Sequence, residues 1–170
     1  MTGHKLIFRR ETANTPGLLA YWQARRLVRQ AVYAALEGEG VAVPCEVSVL
    51  FTDDAGIRVI NREHRDIDSA TDVLSFPLNE LTPGAFDPSA AERGEHGRVL
   101  LGDIVLSLEH ARAQGEEFGH GYARELRYLT VHSVLHLLGY DHLDEGEQKR
   151  QMRSREKQIM ARLGVQETEA

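Results

Sequence analysis

The segment His132-Ser133-Val134-Leu135-His136-Leu137-Leu138-Gly139-Tyr140-Asp141-His142 constrains this chain more than any other. Leu126, Leu129, Val134, Leu135 and Leu138 recur at helical spacing, so a helix is predicted over residues 122–138. Residues four apart on a helix stand one above the other, which places His132 beside His136. A helix that simply continued would carry His142 round to another face. Gly139 removes that obstacle, because glycine accepts the left-handed backbone that commonly ends a helix. The chain can then turn back and bring His142 to the same point. Three neutral imidazoles and one open position make the usual catalytic zinc site, whereas structural zinc sites are closed by four ligands and usually include cysteine. Burying three imidazoles with no shared ion would carry a polar desolvation cost.

A length of 170 residues suits one domain covering the whole chain, with enough residues to bury a sizeable core. Cys45 is the single cysteine, which excludes an intrachain disulfide and a thiolate zinc site. No apolar run approaches the roughly 18 residues of a membrane span, and the first ten residues lack the pattern of a signal peptide. A cytoplasmic protein with no membrane partner is expected. The net charge of -6 argues against general nucleic-acid binding. The charge is uneven, however. Arg25, Arg26 and Arg29 cluster on one predicted helix, and Arg58, Arg62 and Arg65 fall at i, i+4 and i+7 on another. Both a local basic face and a solvated helix surface account for these arginines.

Along the chain, short strands are predicted at residues 5–10, 46–51, 72–76 and 102–107. Pro16-Gly17 precedes a helix from Leu18 to Glu37, in which Leu19, Trp22, Arg26 and Leu27, then Ala31, Ala34 and Ala35, recur near the helical period and Gly38 and Gly40 end it. Thr52 or Asp53 caps a helix reaching about His64, with Ile57 and Ile60 on its inner side. Residues 79–98, with two prolines and three glycines, read as a long exposed loop. A helix over 108–116 follows. Asp144 or Glu145 opens a last helix reaching about Leu163, with Met152, Ile159, Met160 and Leu163 as its apolar side, and 164–170 form a flexible tail. The expected fold is a single α+β domain, a small mixed four-stranded sheet covered by helices.

Zinc on three histidines lowers the pKa of bound water toward ~7 and polarises a substrate oxygen. The spacing His-x-x-x-His-x-x-Gly-x-x-His matches metzincin peptidases at all three ligands, but those enzymes carry a glutamate base directly after the first histidine. Ser133 stands there, and a hydroxyl cannot exchange protons as a carboxylate does near neutral pH. Asp141, next to His142, is a candidate base or a partner that orients a histidine; a turn residue is the plainer explanation. Asp72 and Asp103 read as caps or supporting partners. Arg65 is the candidate cation for a phosphodiester, since a guanidinium fork matches phosphate oxygens; a surface salt bridge with Asp66 or Asp68 would also explain it.

Asn61-Arg62-Glu63-His64-Arg65, Thr71-Asp72-Val73-Leu74-Ser75-Phe76-Pro77, Leu101-Gly102-Asp103-Ile104 and the histidine segment occur in the order and spacing of the bacterial YbeY family, which this chain resembles over about residues 45–163. The resemblance implies a metal-dependent endoribonuclease that is specific for single strands. It would act in ribosomal RNA maturation, at the 16S 3′ end, and in ribosome quality control, by metal-activated attack of water on a phosphodiester. It implies His132, His136 and His142 as ligands of one Zn2+, with Ni2+ and other divalent metals as alternatives. Arg65, His132 and Asp141 are the expected catalytic residues, in a cleft beside the histidine helix. Ribosomal RNA and the small subunit or its proteins are the implied partners, with no DNA. The chain departs from the family pattern at Ser133, where glycine is common, at Ala70, where proline is usual, and in the length of the 79–98 loop. Two other readings share these residues: a ribosome assembly factor whose metal is structural, and a metal hydrolase of another substrate.

Overall fold

Alternating apolar residues build two parallel strands, β1 (Lys5–Arg10) and β2 (Cys45–Thr52), joined by the long helix α1 (Leu18–Gly38). The computed structural model describes residues 3–11, 17–142 and 146–164. Pro16, Asp144, Glu145 and the tail beyond Gly164, each of which carries an expectation above, lie outside the described residues. Helix α2 (Asp54–Arg65) follows β2. Of its two candidate caps the structure selects Asp53, whose Oδ1 accepts from the Gly56 backbone N–H at 2.9 Å. Next come the short strand β3 (Val73–Pro77) and β4 (Val99–Ser107). The sheet order is β1-β2-β4-β3, with β4 parallel to β2 and antiparallel to β3. Pro77 ends β3, which lies at a sheet edge, where a missing backbone N–H is tolerated. The result is the expected mixed four-stranded sheet in an α+β domain.

Helices α3 (Leu108–Glu117), α4 (Tyr122–Leu137) and α5 (Glu147–Arg162) complete the order. The principal core lies on one face of the sheet, where Leu101, Ile104 and Leu106 of β4 meet Val28, Ala31 and Ala35 of α1 and Leu126, Val134 and Leu137 of α4. On the other face Ile57 of α2 forms a small cluster with Leu74 and Val105. The buried stripe of α1 runs Ala24, Leu27, Val28, Ala31 and Ala35, and this phase leaves Leu19 and Trp22 exposed, contrary to the apolar pattern read from the sequence. β4 begins three residues before its predicted start because Val99 pairs with Cys45. The 79–98 segment is irregular, as expected, but well tied. The Asn79 side chain donates to the Leu100 carbonyl at 2.7 Å and accepts from the Glu92 N–H at 2.8 Å. Among the described residues no helix is long and apolar enough to cross a membrane.

Candidate metal centre

Helix α4 ends at Leu137, and the two residues after its cap close the turn that the histidines require. The Gly139 N–H donates to the His136 carbonyl at 3.1 Å and the Tyr140 N–H to the Leu135 carbonyl at 3.0 Å, the pair of bonds that defines a Schellman end. Gly139 has φ +100°, and a Cβ there would overlap the Leu81 carbonyl of the 79–98 segment. Glycine is therefore needed twice, for its backbone angle and for the close approach. The chain reverses, and His142 comes to the His132–His136 pair with ring centroids 5.5 and 5.0 Å away.

The ligand nitrogens of the three imidazoles all lie within 4.8 Å of one another. Two are held from behind. His132 Nδ1 lies 2.7 Å from Glu156 Oε1, and His136 Nδ1 lies 2.8 Å from the Tyr140 carbonyl. A carboxylate and a carbonyl can only accept, so both Nδ1 atoms carry their hydrogens and both Nε2 atoms present lone pairs. Those two Nε2 atoms face each other at 3.1 Å. Two lone pairs at this distance can share one cation between them. Burial, and then the charges of His132 and His142, lower the pKa of His136 to about 4, so its own Nε2 stays unprotonated near neutral pH. Donors bound at about 2.0–2.1 Å around a tetrahedral ion sit roughly 3.4 Å apart, close to the spacing here. The donor set fits a divalent metal.

The supporting groups are themselves anchored. Glu156, on α5 and 5% exposed, also accepts from the Tyr128 hydroxyl at 2.9 Å. Burial, and next the charge of Glu156, raise the Tyr128 phenol far above its ordinary pKa, so it remains a donor. Tyr140 donates its hydroxyl to Glu39 at 2.7 Å, and Glu39 pairs with Arg155 Nε at 2.6 Å. The turn carrying His142 is thus bolted to α1 and α5. Nothing in the histidine motif announces Glu156. Its signal is a carboxylate set among Met152, Ile159 and Met160 on the buried side of α5, a position that calls for a buried partner. We expect Glu156→Gln to weaken metal affinity by about 10- to 100-fold in a chelator competition; unchanged affinity would show that His132 needs no such support.

The five expected site residues, Arg65, His132, His136, Asp141 and His142, line one cleft of about 790 Å³. Arg65, the last residue of α2, donates from Nη2 to the Ser75 carbonyl at 3.1 Å and lies 5.8 Å from the centre of the Phe76 ring. It does not form the salt bridge that would have explained it away, since Asp68 pairs instead with Arg58 and Arg62. Asp141 Oδ1 accepts from the His142 N–H at 2.7 Å, a local turn bond that leaves its second oxygen uncommitted to that contact. Asp72 also lines the cleft, but both of its oxygens serve structure. Oδ1 accepts from the Val73 N–H and Oδ2 from Gln114. Asp103 is exposed on β4 and lies outside the cleft lining.

Strand β3 joins the two halves of the site. The Ser75 carbonyl holds Arg65, while its hydroxyl donates to Ser133 Oγ at 3.0 Å, one residue from His132. Ser133 is fully buried, so the position that carries the glutamate base in metzincins is here a strand–helix tie. This contact gives the Thr71–Pro77 segment a physical role the sequence did not disclose: it fixes the guanidinium relative to the imidazoles.

The family model described as Endoribonuclease YbeY matches residues 14–164. The chain is 50% identical over 139 residues to an Endoribonuclease YbeY of Caldanaerobacter subterraneus subsp. tengcongensis, an alignment covering 82% of this chain and 87% of that protein. It is 46% identical over 145 residues to the Clostridium acetobutylicum protein of the same name, covering 81% and 87%. The solution structure of TM1509 from Thermotoga maritima shares the fold with a TM-score of 0.52 at 19% identity, over 93% of this chain and 92% of that one.

Proposed function

Since the chain belongs to the YbeY endoribonuclease family, we propose that it is a zinc-dependent endoribonuclease specific for single-stranded RNA. Its proposed task is ribosomal RNA maturation at the 16S 3′ end and ribosome quality control, on or beside the small subunit in the cytoplasm. The observation that carries this reading is the sharing of one cleft by three convergent imidazoles and a guanidinium. His132, His136 and His142 would hold the metal. Bound there, zinc would act as a Lewis acid toward a phosphoryl oxygen and lower the pKa of water.

The chain's own groups divide the remaining work. Arg65 spends one N–H on the Ser75 carbonyl, and a guanidinium has five, so the rest serve the phosphodiester. That charge matters most as negative charge grows on the phosphoryl oxygens. Asp141 takes the proton of the attacking water as the P–O bond to the leaving ribose oxygen breaks, and then gives that proton to the leaving oxygen, which returns Asp141 to its carboxylate. Glu156 and the Tyr140 carbonyl hold His132 and His136 as Nδ1–H tautomers throughout. Peptide hydrolysis is disfavoured because residue 133 is a buried serine rather than a carboxylate.

Arg65→Ala tests the phosphate assignment. In a rigorously nuclease-free preparation, kcat for single-stranded RNA should fall about 10²- to 10³-fold with metal content unchanged, and Arg65→Lys should recover part of it. Undiminished cleavage by Arg65→Ala would show that this guanidinium does not stabilise the phosphoryl charge.

A further inference from the structure

A second collection of cations lies at the opposite edge of the sheet from β3 and the histidine cleft. β1 forms that edge, and α1 lies beside it. Among the described residues Arg10, Arg25 and Arg29 form no ion pair, although the chain carries 26 acidic residues against 20 basic ones. Their contacts are with aromatic rings. The Arg25 guanidinium carbon lies 4.5 Å from the Trp22 ring centre and 4.8 Å from that of Phe8. Arg10 stands 4.8 Å over Tyr21, and Arg29 5.6 Å over Phe8. Trp22 is 52% exposed, and Arg10 and Arg29 are exposed.

Each guanidinium–ring contact adds only about 0.5–1 kcal/mol to the fold at an exposed site. Glu109 and Glu116 share a cavity with Arg10, but none of the three arginines is ion-paired among the described residues, gathering like charges is repulsive, and an exposed tryptophan adds little to a core. A ligand accounts for the arrangement. A guanidinium stacked on a ring keeps its N–H edge open to phosphate oxygens, while ring faces accept stacked bases. Positive charge interleaved with aromatic faces is the pattern of single-stranded nucleic-acid tracks. An acidic peptide would match the arginines but leave the exposed ring face of Trp22 unexplained.

We propose that the β1–α1 edge, through Arg10, Arg25, Arg29 and Trp22, anchors single-stranded RNA that extends beyond the histidine cleft. This rests on the RNA-cleaving reading above and adds a second contact remote from the chemistry. It also explains how a chain with net charge -6 holds a polyanion: the positive field is local. Short RNA then needs only the cleft, whereas long RNA gains affinity from both.

The test compares Arg25→Glu/Arg29→Glu with a charge-matched control, Arg150→Glu/Arg162→Glu on α5, using fluorescent 30-nucleotide and 5-nucleotide single-stranded RNAs across a salt series. Anisotropy reads binding and gels of the same samples read cleavage, so loss of anchoring and loss of catalysis are scored separately. The edge variant should bind the 30-mer about tenfold or more weakly, with a log–log salt slope shallower by about 1.4, as two lost phosphate contacts require. Its cleavage of the 5-mer should match wild type, and Trp22→Ala should weaken 30-mer binding without changing the slope. Unchanged 30-mer affinity, or equal weakening in the control, overturns the proposal. So does a variant that keeps RNA affinity but loses binding to small-subunit proteins, since the edge would then serve a protein. A wild type that binds the 30-mer through this edge but cuts neither RNA would refute the nuclease reading and leave the anchor standing.

Discussion

Gly139→Ala should lower stability by about 3 kcal/mol or more and bring Tm down by about 10 °C. Two costs add at this position. The backbone sits at φ +100°, which L side chains rarely adopt, and the new methyl would overlap the Leu81 carbonyl. A flexible side chain could move aside; a backbone carbonyl inside the tied 79–98 segment cannot do so cheaply. Relief would have to come from unwinding the end of α4, which breaks the Tyr140–Leu135 and Gly139–His136 bonds and carries His142 away from its partners. The variant should therefore also bind metal more weakly at temperatures where it remains folded. Thermal denaturation and a metal titration on the same protein check both halves, and a Tm within 2–3 °C of wild type would show that the turn can rearrange.

His136→Ala should leave the protein without stoichiometric metal and reduce RNA cleavage by about 10³-fold or more, as expected when a first ligand of a catalytic metal is lost. Of the three histidines this one is the most informative. Its Nε2 faces that of His132 at 3.1 Å, and its Nδ1–H is spent on the Tyr140 carbonyl. Its imidazole is held neutral by burial well below its ordinary pKa, which keeps a lone pair ready for a cation at neutral pH. Removing it also relieves the opposed lone pairs. The metal-free fold should then lose little stability, perceptibly less than Gly139→Ala costs. Circular dichroism with elemental analysis separates loss of the ion from loss of the fold.

The histidine segment was legible because its geometry is local. Helical spacing, a glycine stop and a returning chain lie within eleven residues, and the Schellman turn delivers what that pattern demands. The strands and helices were legible through their periodicity, and Asp53 through capping chemistry. What escaped was contact between distant elements. Glu156 meets His132 across 24 residues, and Ser75 meets Ser133 across 58. Single-sequence patterns carry no information on such pairings, although a carboxylate on the apolar side of α5 hinted at one. The inner side of α1 was legible at Leu27 and Ala31 but not in its first turns. Leu19 and Trp22 fit a helical period but stay exposed, because the buried stripe through Ala24, Ala31 and Ala35 packs mainly on α4. The exposed ring this leaves behind is part of the proposed RNA edge.

RNA cleavage is proposed to depend on a metal held by the three imidazoles. The most direct test follows cleavage of single-stranded RNA by protein stripped with a chelator and then titrated with zinc, beside His136→Ala under the same conditions. Dependence on the bound metal predicts negligible cleavage without it, activity that saturates at one equivalent, and no recovery in the variant. Full cleavage by the stripped protein, or zinc-restored cleavage by His136→Ala, would contradict it.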